Sequence, residues 1–166
     1  LRRRMQIVFQ DPSSALNPRM RIGDAIAEGL EIHRIFPARD IPRRVAVLME
    51  EVGLDPGWAR KRPHELSGGQ RQRVGIARAL AVEPALLICD EPVSSLDVSV
   101  QGSLMNLLMK LQIEQSTSYV FISHDLSAVQ HLSDTIAVVY LGRVVEIGDA
   151  VRVLAPPFHP YTEALV

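Results

Sequence analysis

The sequence predicts an α/β fold in which helices cover a largely parallel sheet. Strands and helices alternate from about residue 83 to 148, a pattern typical of parallel strands joined by helical crossovers. Residues from about 20 to 82 are instead mostly helical and predict an inserted α-helical subdomain. Before this insertion, the short apolar run Met5–Phe9 predicts a first strand.

Three helices are predicted in the insertion, which follows a proline-containing break over residues 11–18. The first, Ile22–Ile32, has apolar residues at helical spacing. Pro42 lies at the start of the second, which ends at Gly53, because proline is tolerated in a first helical turn and glycine commonly ends a helix. The third helix runs from about Gly69 to Val82.

The alternating part predicts four strands with two helices between them. The last two strands are close enough to pair as a hairpin joined at Gly142–Arg143, and a final helix follows Pro156–Pro157. The predicted strands are Ala85–Cys89, Tyr119–Ser123, Thr135–Leu141 and Val144–Ile147, and the helices are Val98–Gln115 and Leu126–Leu132.

The composition is ordinary for a globular protein and predicts a single domain. Of the 166 residues, 47% are hydrophobic and 22% are charged, with a net charge of -1. A balance so close to zero argues against strong attraction to nucleic acid or anionic lipid. No apolar run approaches the roughly 18 residues that span a bilayer. The single cysteine, Cys89, cannot form an internal disulfide.

The segment Leu66–Gln70, with the sequence Leu-Ser-Gly-Gly-Gln, opens the third helix. The first N–H groups of a helix lack intrahelical acceptors and favour an anion. Gly68 and Gly69 have no Cβ and would let a phosphate approach closely. Ser67 also has the ordinary interpretation of a helix N-cap. Further along the helix, Arg78 is interpreted as part of a solvated face.

Two carboxylates, Asp90 and Glu91, directly follow the predicted strand Ala85–Cys89. In α/β proteins, ligands bind at this end of the strands. His124 follows the strand Tyr119–Ser123 and is expected at the same edge. An acidic pair can instead cap a turn, and a lone histidine is more often structural.

In this order the three segments resemble the nucleotide-binding subunit of an ATP-binding cassette (ABC) transporter. The resemblance covers essentially the whole chain and implies a P-loop NTPase (RecA-like) core with ATP and Mg²⁺ as cofactors. It implies that Asp90 binds Mg²⁺ through water, that Glu91 orients or deprotonates the attacking water, and that His124 contacts the γ-phosphate. Gln10 would reach both the metal and the water, although its ordinary interpretation is a turn residue.

The resemblance also implies a second ABC ATPase subunit, in a homo- or heterodimer. The signature residues would contact the ATP that this partner holds, and they are Ser67, Gly68, Gly69 and Gln70. The segment Ser94–Asp97 matches the D-loop, which crosses to the partner. Asp97 is equally well placed as an N-cap for the helix that begins at Val98.

Two further segments narrow the group. Phe9–Pro18 is similar to the Q-loop of the peptide and nickel importers, and Phe158–Thr162 is similar to their C-terminal tail. This likeness implies uptake of peptides, glutathione, nickel or related solutes, powered at the cytoplasmic face of the bacterial inner membrane. The implied partners are transmembrane permease subunits and, indirectly, a solute-binding protein, whereas nucleic acid is not expected.

No P-loop of the form Gly-x-x-x-x-Gly-Lys-Ser/Thr occurs in the 166 residues. We therefore expect a partial nucleotide-binding domain, incomplete at its N-terminus and truncated before the Q-loop, with a helical subdomain at about 20–82, a core part at about 83–148 and the start of a tail at about 149–166. The intact parent is expected to be a transport-coupled ATPase, and this chain by itself is expected to be inactive. Two alternatives stay open: a soluble ABC ATPase acting on nucleic acid or ribosomes, and a non-catalytic remnant that only binds partner subunits.

Overall fold

A computed structural model describes residues 2–165, apart from the side chain of Ser13. The chain divides into two compact units, residues 1–120 and 121–166. None of the helices in the described residues is both long enough and apolar enough to cross a bilayer. The helices of the first unit are α1 Pro12–Ala15, α2 Ile22–His33, α3 Ile41–Glu51, α4 Gly68–Leu80 and α5 Val98–Gln115, with short 3-10 turns at Ala38–Asp40, Pro56–Arg60 and Pro63–Glu65.

The apolar faces of α2, α3, α4 and α5 form the core of the first unit. Their buried residues recur at three- and four-residue intervals, which places them on one face of each helix. The predicted helices are confirmed to within two residues at each end, but residues 11–18 contain one helical turn, α1, that the sequence did not predict. The fully buried side chains on these helices include Ile22, Ile26, Leu30, Leu48, Met49, Ile76, Leu80, Leu104, Leu108 and Leu111.

A three-stranded sheet lies in the order β1–β2–β3, with β1 Met5–Val8, β2 Leu86–Asp90 and β3 Ser118–Ile122. β1 and β2 are parallel, as predicted, and Val8 lies opposite Cys89 at the end of the pairing. At the beginning of β3, the Ser118 N–H donates to the Ala85 carbonyl just before β2. Because β1 and β2 run in the same direction, the segments that follow them emerge at the same edge.

The second unit contains helix α6 Leu126–Leu132, the antiparallel pair β4 Thr135–Tyr140 and β5 Arg143–Asp149, and two short helices, α7 Ala150–Val153 and α8 Pro160–Leu165. The predicted hairpin is confirmed, but its turn is Leu141–Gly142, one residue earlier than predicted. Both turn residues have positive φ, 47° and 75°, which matches the two-residue turn that suits strand twist. The small core of this unit consists of Val129, Ile136, Val138, Ala150 and Val153.

Candidate functional site

The carboxyl ends of β1 and β2 bring two predicted site residues together. Gln10 follows β1 by two residues, and Glu91 follows β2 directly. The Gln10 Nε2 group donates a 2.8 Å hydrogen bond to Glu91 Oε2 and a longer one, 3.3 Å, to Ser94 Oγ. The parallel register therefore joins side chains that are 81 positions apart in the sequence.

Glu91 has an uncommon backbone conformation, with φ at 43°. For a residue with a Cβ, the left-handed region costs about 1–2 kcal/mol. The Glu91 carbonyl accepts hydrogen bonds from the Ser94 N–H at 3.3 Å and from Ser94 Oγ at 3.1 Å, and these bonds stabilise the tight turn after β2. Strain of this kind is common at functional sites, but Arg34, Glu83, Ser116 and Leu141 also have positive φ, so this conformation agrees with a role for Glu91 without singling it out.

Asp90 is the last residue of β2 and is half-buried. In the described part of the chain, no group of three or more His, Cys, Asp and Glu side chains is placed to hold a metal ion. Mg²⁺ is usually bound by one or two carboxylates together with substrate phosphates and waters, so the single carboxylate of Asp90 fits a magnesium–nucleotide complex. Burial raises the pKa of the neighbouring Cys89 thiol to about 12, so this thiol stays protonated and is a poor metal ligand.

In the signature segment, at the start of α4, the side chains of Ser67 and Gln70 bond each other's backbone N–H groups. Ser67 Oγ accepts a 3.3 Å hydrogen bond from the Gln70 N–H, and Gln70 Oε1 accepts one of 2.9 Å from the Ser67 N–H. This reciprocal pattern is a capping box, so the N-cap interpretation of Ser67 is confirmed. Since both side chains are engaged within the turn, the first N–H groups of the helix are the donors left for an anion.

The two signature glycines differ in the space around them. A Cβ built on Gly69 would lie 2.6 Å from Val100 Cγ1, too close for any real contact, whereas one on Gly68 would lie 3.5 Å from Leu96 Cδ2. A side chain at Gly69 would therefore force Val100 to shift in the packing of α4 against the first turn of α5. Only Gly68 has room for a side-chain carbon without a shift of its neighbours.

Asp97 occupies the N-cap position of α5 in an extended conformation, but its side chain makes no capping hydrogen bond. The expectation that its carboxylate caps the helix is wrong. The Asp97 carbonyl instead accepts from the N–H groups of Val100 and Gln101, each at 2.9 Å. Gln101 also donates from Nε2 to the Leu96 carbonyl at 2.8 Å, so the loop before α5 is held by the amide of Gln101 rather than by the carboxylate of Asp97.

His124 belongs to the second unit, in the exposed loop between β3 and α6. The next residue, Asp125, caps α6 by accepting from the N–H groups of Ser127 at 2.9 Å and Ala128 at 3.3 Å. Ser123 Oγ accepts from the Asp125 N–H at 3.0 Å. The loop around His124 thus has its own local hydrogen bonds, and the role of His124 stays a prediction.

Arg78 is partly solvated, as predicted, with 41% of its side chain exposed, but it also bonds to other segments. It donates to the Ala15 carbonyl at 2.8 Å and pairs with Glu28 at 3.2 Å, so it ties α4 to α1 and α2. Arg73 similarly donates to the Val52 carbonyl at 2.6 Å, and burial lowers its pKa below the ordinary value. The sequence pattern does not reveal these bonds, because the carbonyl acceptors lie on distant segments.

Sequence reasoning missed Gln72. Its side chain is 1% exposed, and its Nε2 donates to the Phe9 carbonyl at 3.2 Å. The signal that would have found it is its place four residues before Ile76, on the apolar face of α4, where a polar side chain is out of pattern.

The ABC transporter family model matches residues 1–94, just over half of the chain. The oligopeptide transport ATP-binding protein OppF of Bacillus subtilis (strain 168) is 52% identical over 165 residues, which are 99% of this chain and 54% of OppF. The glutathione import ATP-binding protein GsiA of Escherichia coli (strain K12) is 52% identical over all 166 residues, which are 27% of GsiA. The chain thus spans about half of OppF and about a quarter of GsiA.

A solved structure gives a likeness in three dimensions. CbiO1 of Clostridium perfringens, described as part of the ABC transporter complex CbiONQ, aligns with a TM-score of 0.82 and 32% identity. The alignment covers 93% of this chain and 60% of CbiO1.

Proposed function

Since this chain belongs to the ABC transporter family, we propose that it serves in an ATP-binding subunit that hydrolyses ATP to power the import of peptides or related small solutes. The names of the relatives OppF and GsiA, an oligopeptide transport and a glutathione import ATP-binding protein, support this class of solute. The likeness to CbiO1 confirms the α/β fold of an ABC ATPase that the sequence predicts.

The observation that carries the proposal is the hydrogen bond between Gln10 and Glu91 at the sheet edge. Hydrolysis needs a group that orients the attacking water and accepts its proton, and Glu91 is that group in this proposal. The Gln10 amide fixes one Glu91 oxygen through Nε2, and its own oxygen is an acceptor suited to the water or to the metal. Asp90, directly before Glu91, would hold Mg²⁺ through water.

When bound, Mg²⁺ neutralises phosphate charge and orients the nucleotide. The chain's own residues then supply the rest of the site. In the proposed arrangement the N–H groups of Gly68 and Gly69 donate to the γ-phosphate of ATP held by a second ABC ATPase subunit. The capping box of Ser67 and Gln70 supports this proposal because it fixes the turn without using those two N–H groups. His124 would contact the γ-phosphate in its own subunit, and Asp97 would face the partner.

The proposed partners follow from the same class of protein. Transmembrane permease subunits would bind the ATPase at the cytoplasmic face of the bacterial inner membrane, and a solute-binding protein would act through them.

The test is Glu91→Gln in a chain extended to include a P-loop. Steady-state ATP turnover should fall by roughly 10³-fold, because the water loses its orienting carboxylate, while ATP stays bound and the closed dimer accumulates. Glu114→Gln, a change on an exposed part of α5, is the matched control and should leave turnover unchanged. Residues 1–166 without the extension should show no turnover and no saturable thermal shift with Mg-ATP, since stabilisation follows occupancy. Turnover of Glu91→Gln within about tenfold of the parent would remove Glu91 from this role.

A further inference from the structure

Gln72 is a glutamine in a position that its helix otherwise reserves for apolar side chains. It is 1% exposed and lies among the buried residues of α4, which include Val74, Ile76 and Ala77. Its amide makes one hydrogen bond, from Nε2 to the Phe9 carbonyl at 3.2 Å. Its Oε1 atom is buried and has no hydrogen-bond partner among the described residues.

The orientation of this amide is fixed by its partner. Only the donating Nε2 can face a carbonyl oxygen, because a flipped amide would bring two acceptors together. A buried amide oxygen without a partner costs stability, and an apolar side chain of the same length would avoid that cost. Local packing rules are broken in this way mainly where a function requires the group.

The hydrogen bond from Gln72 to Phe9 lies just beyond the end of the β1–β2 pairing. The pairing of β1 with β2 ends at Val8 opposite Cys89, so Phe9 is the first residue beyond the ladder. Gln72 holds the Phe9 carbonyl, and Ser95 Oγ donates to the next carbonyl, that of Gln10, at 3.3 Å. The carbonyls on either side of the Gln10 Cα are thus both hydrogen-bonded, and the side chain between them bonds Glu91.

Gln72 also lies in the first turns of the signature helix. It follows Gln70 by two residues on α4, within one continuous helix that begins at Gly68. A helix moves as a rigid body over such a distance, so a displacement of the signature turn would move the Phe9 carbonyl as well.

We propose that Gln72 is a positioning residue that couples the signature helix to the Gln10–Glu91 pair. A ligand that contacts the signature turn would thereby align the carboxylate of Glu91 in the same subunit. The effect of this coupling on catalysis rests on the proposed function. The hydrogen bonds that form the coupling lie within residues 1–166 and can be tested without it.

The first experiment uses residues 1–166 and NMR of the Gln10 side-chain amide. Gln72→Met keeps the length of the side chain and removes its hydrogen bonding, so the Gln10 amide resonances should move to the values of a free glutamine side chain. Gln115→Met is the matched control, because Gln115 also donates from a helix to a distant acceptor, Glu51 Oε2 at 3.3 Å. It should leave the Gln10 resonances unchanged. Unchanged resonances in folded Gln72→Met, or an equal change in the control, would overturn the proposal.

If Gln72→Met does not fold, the parent chain still decides the matter. A nuclear Overhauser contact between the Gln72 side-chain amide and the Phe9–Gln10 backbone is expected, and its absence would overturn the proposal.

The second experiment is a double-mutant cycle in the chain extended by a P-loop. Gln72→Met should lower kcat about tenfold with the KM for ATP within about twofold, and it should have no further effect in a Gln10→Met background. Additive losses would overturn the coupling. If the extended parent hydrolyses no ATP, the proposed function fails, while the NMR result still decides the positioning role of Gln72.

Discussion

The two parts of the candidate site are built in opposite ways. The signature turn is local: Ser67 and Gln70 bond each other across three positions. The sheet-edge pair is non-local: Gln10 and Glu91 are 81 positions apart and meet only because β1 and β2 are parallel and in register. The first can form wherever the helix forms, whereas the second exists only while the sheet is intact.

This difference separates two kinds of fragility. The capping box depends on four consecutive residues and on the first turn of α4. The sheet edge depends on strand pairing, on a strained φ at Glu91 and on the bond from Gln72. Gly69 has both local and non-local constraints, because it belongs to the signature turn and also packs against Val100 on α5.

The largest loss of stability is expected at Gly69, where the signature turn packs against α5. Gly69→Ala should destabilise the chain by about 1–3 kcal/mol, because its Cβ overlaps Val100 Cγ1 in a packed contact. Chemical denaturation of residues 1–166 measures this loss. Val100→Ala should restore most of the stability in the double variant.

Gly68→Ala is the matched control for this prediction. Its Cβ would make an ordinary contact with Leu96, and alanine has the higher helix propensity, so stability should be unchanged or slightly higher. Equal losses for the two glycines would show that the turn itself, and not its packing on α5, requires them.

A smaller effect is expected at the buried strand β2 at high pH. Burial raises the pKa of Cys89 from 9.0 to about 12, so above pH 9 the unfolded chain loses the thiol proton while the folded chain keeps it. The contribution of the buried thiol to stability is complete below pH 9 and decreases as pH rises toward 12. At pH 10 the loss should be on the order of 1 kcal/mol.

Urea denaturation at pH 8 and at pH 10 tests this expectation. Cys89→Ala removes the titrating group, and the difference between its two pH values should be smaller than that of the parent. The half-buried Tyr119, whose pKa is raised by burial and further by Cys89, is present in both chains. If the parent and Cys89→Ala lose the same stability between pH 8 and pH 10, deprotonation of Cys89 in the unfolded chain is not the cause of the loss.

The smallest effect is expected from the local turn itself. Ser67→Ala removes the cap acceptor for the Gln70 N–H and should cost about 1 kcal/mol. Because the sheet edge does not depend on this bond, the NMR resonances of the Gln10 side chain should stay unchanged. A shift of those resonances would mean that the signature turn and the edge are coupled through the cap as well as through Gln72.

Prediction from the sequence succeeded where structure is local and periodic. The helix Val98–Gln115 and the helix Leu126–Leu132 have the predicted bounds, because apolar spacing and, for the second helix, the cap at Asp125 define them within a few residues. It failed where a long-range partner decides the role of a side chain. Arg78 is partly exposed, as predicted, but its bonds to Ala15 and Glu28 were not predicted. Asp97 lies at an N-cap position, but its side chain does not cap the helix.

In the candidate site, too, local features were predictable and long-range contacts were not. The sequence by itself determined the family, the order of the main elements, the signature turn and the two carboxylates at the end of β2, since each is encoded in consecutive residues. Only the tertiary structure decided that Gln10 bonds Glu91, that Gly69 is closed off by Val100 and that Gln72 holds the Phe9 carbonyl. The physical reason is that a hydrogen bond or a steric contact between distant segments depends on the register and packing that bring them together, and no local pattern records its partner.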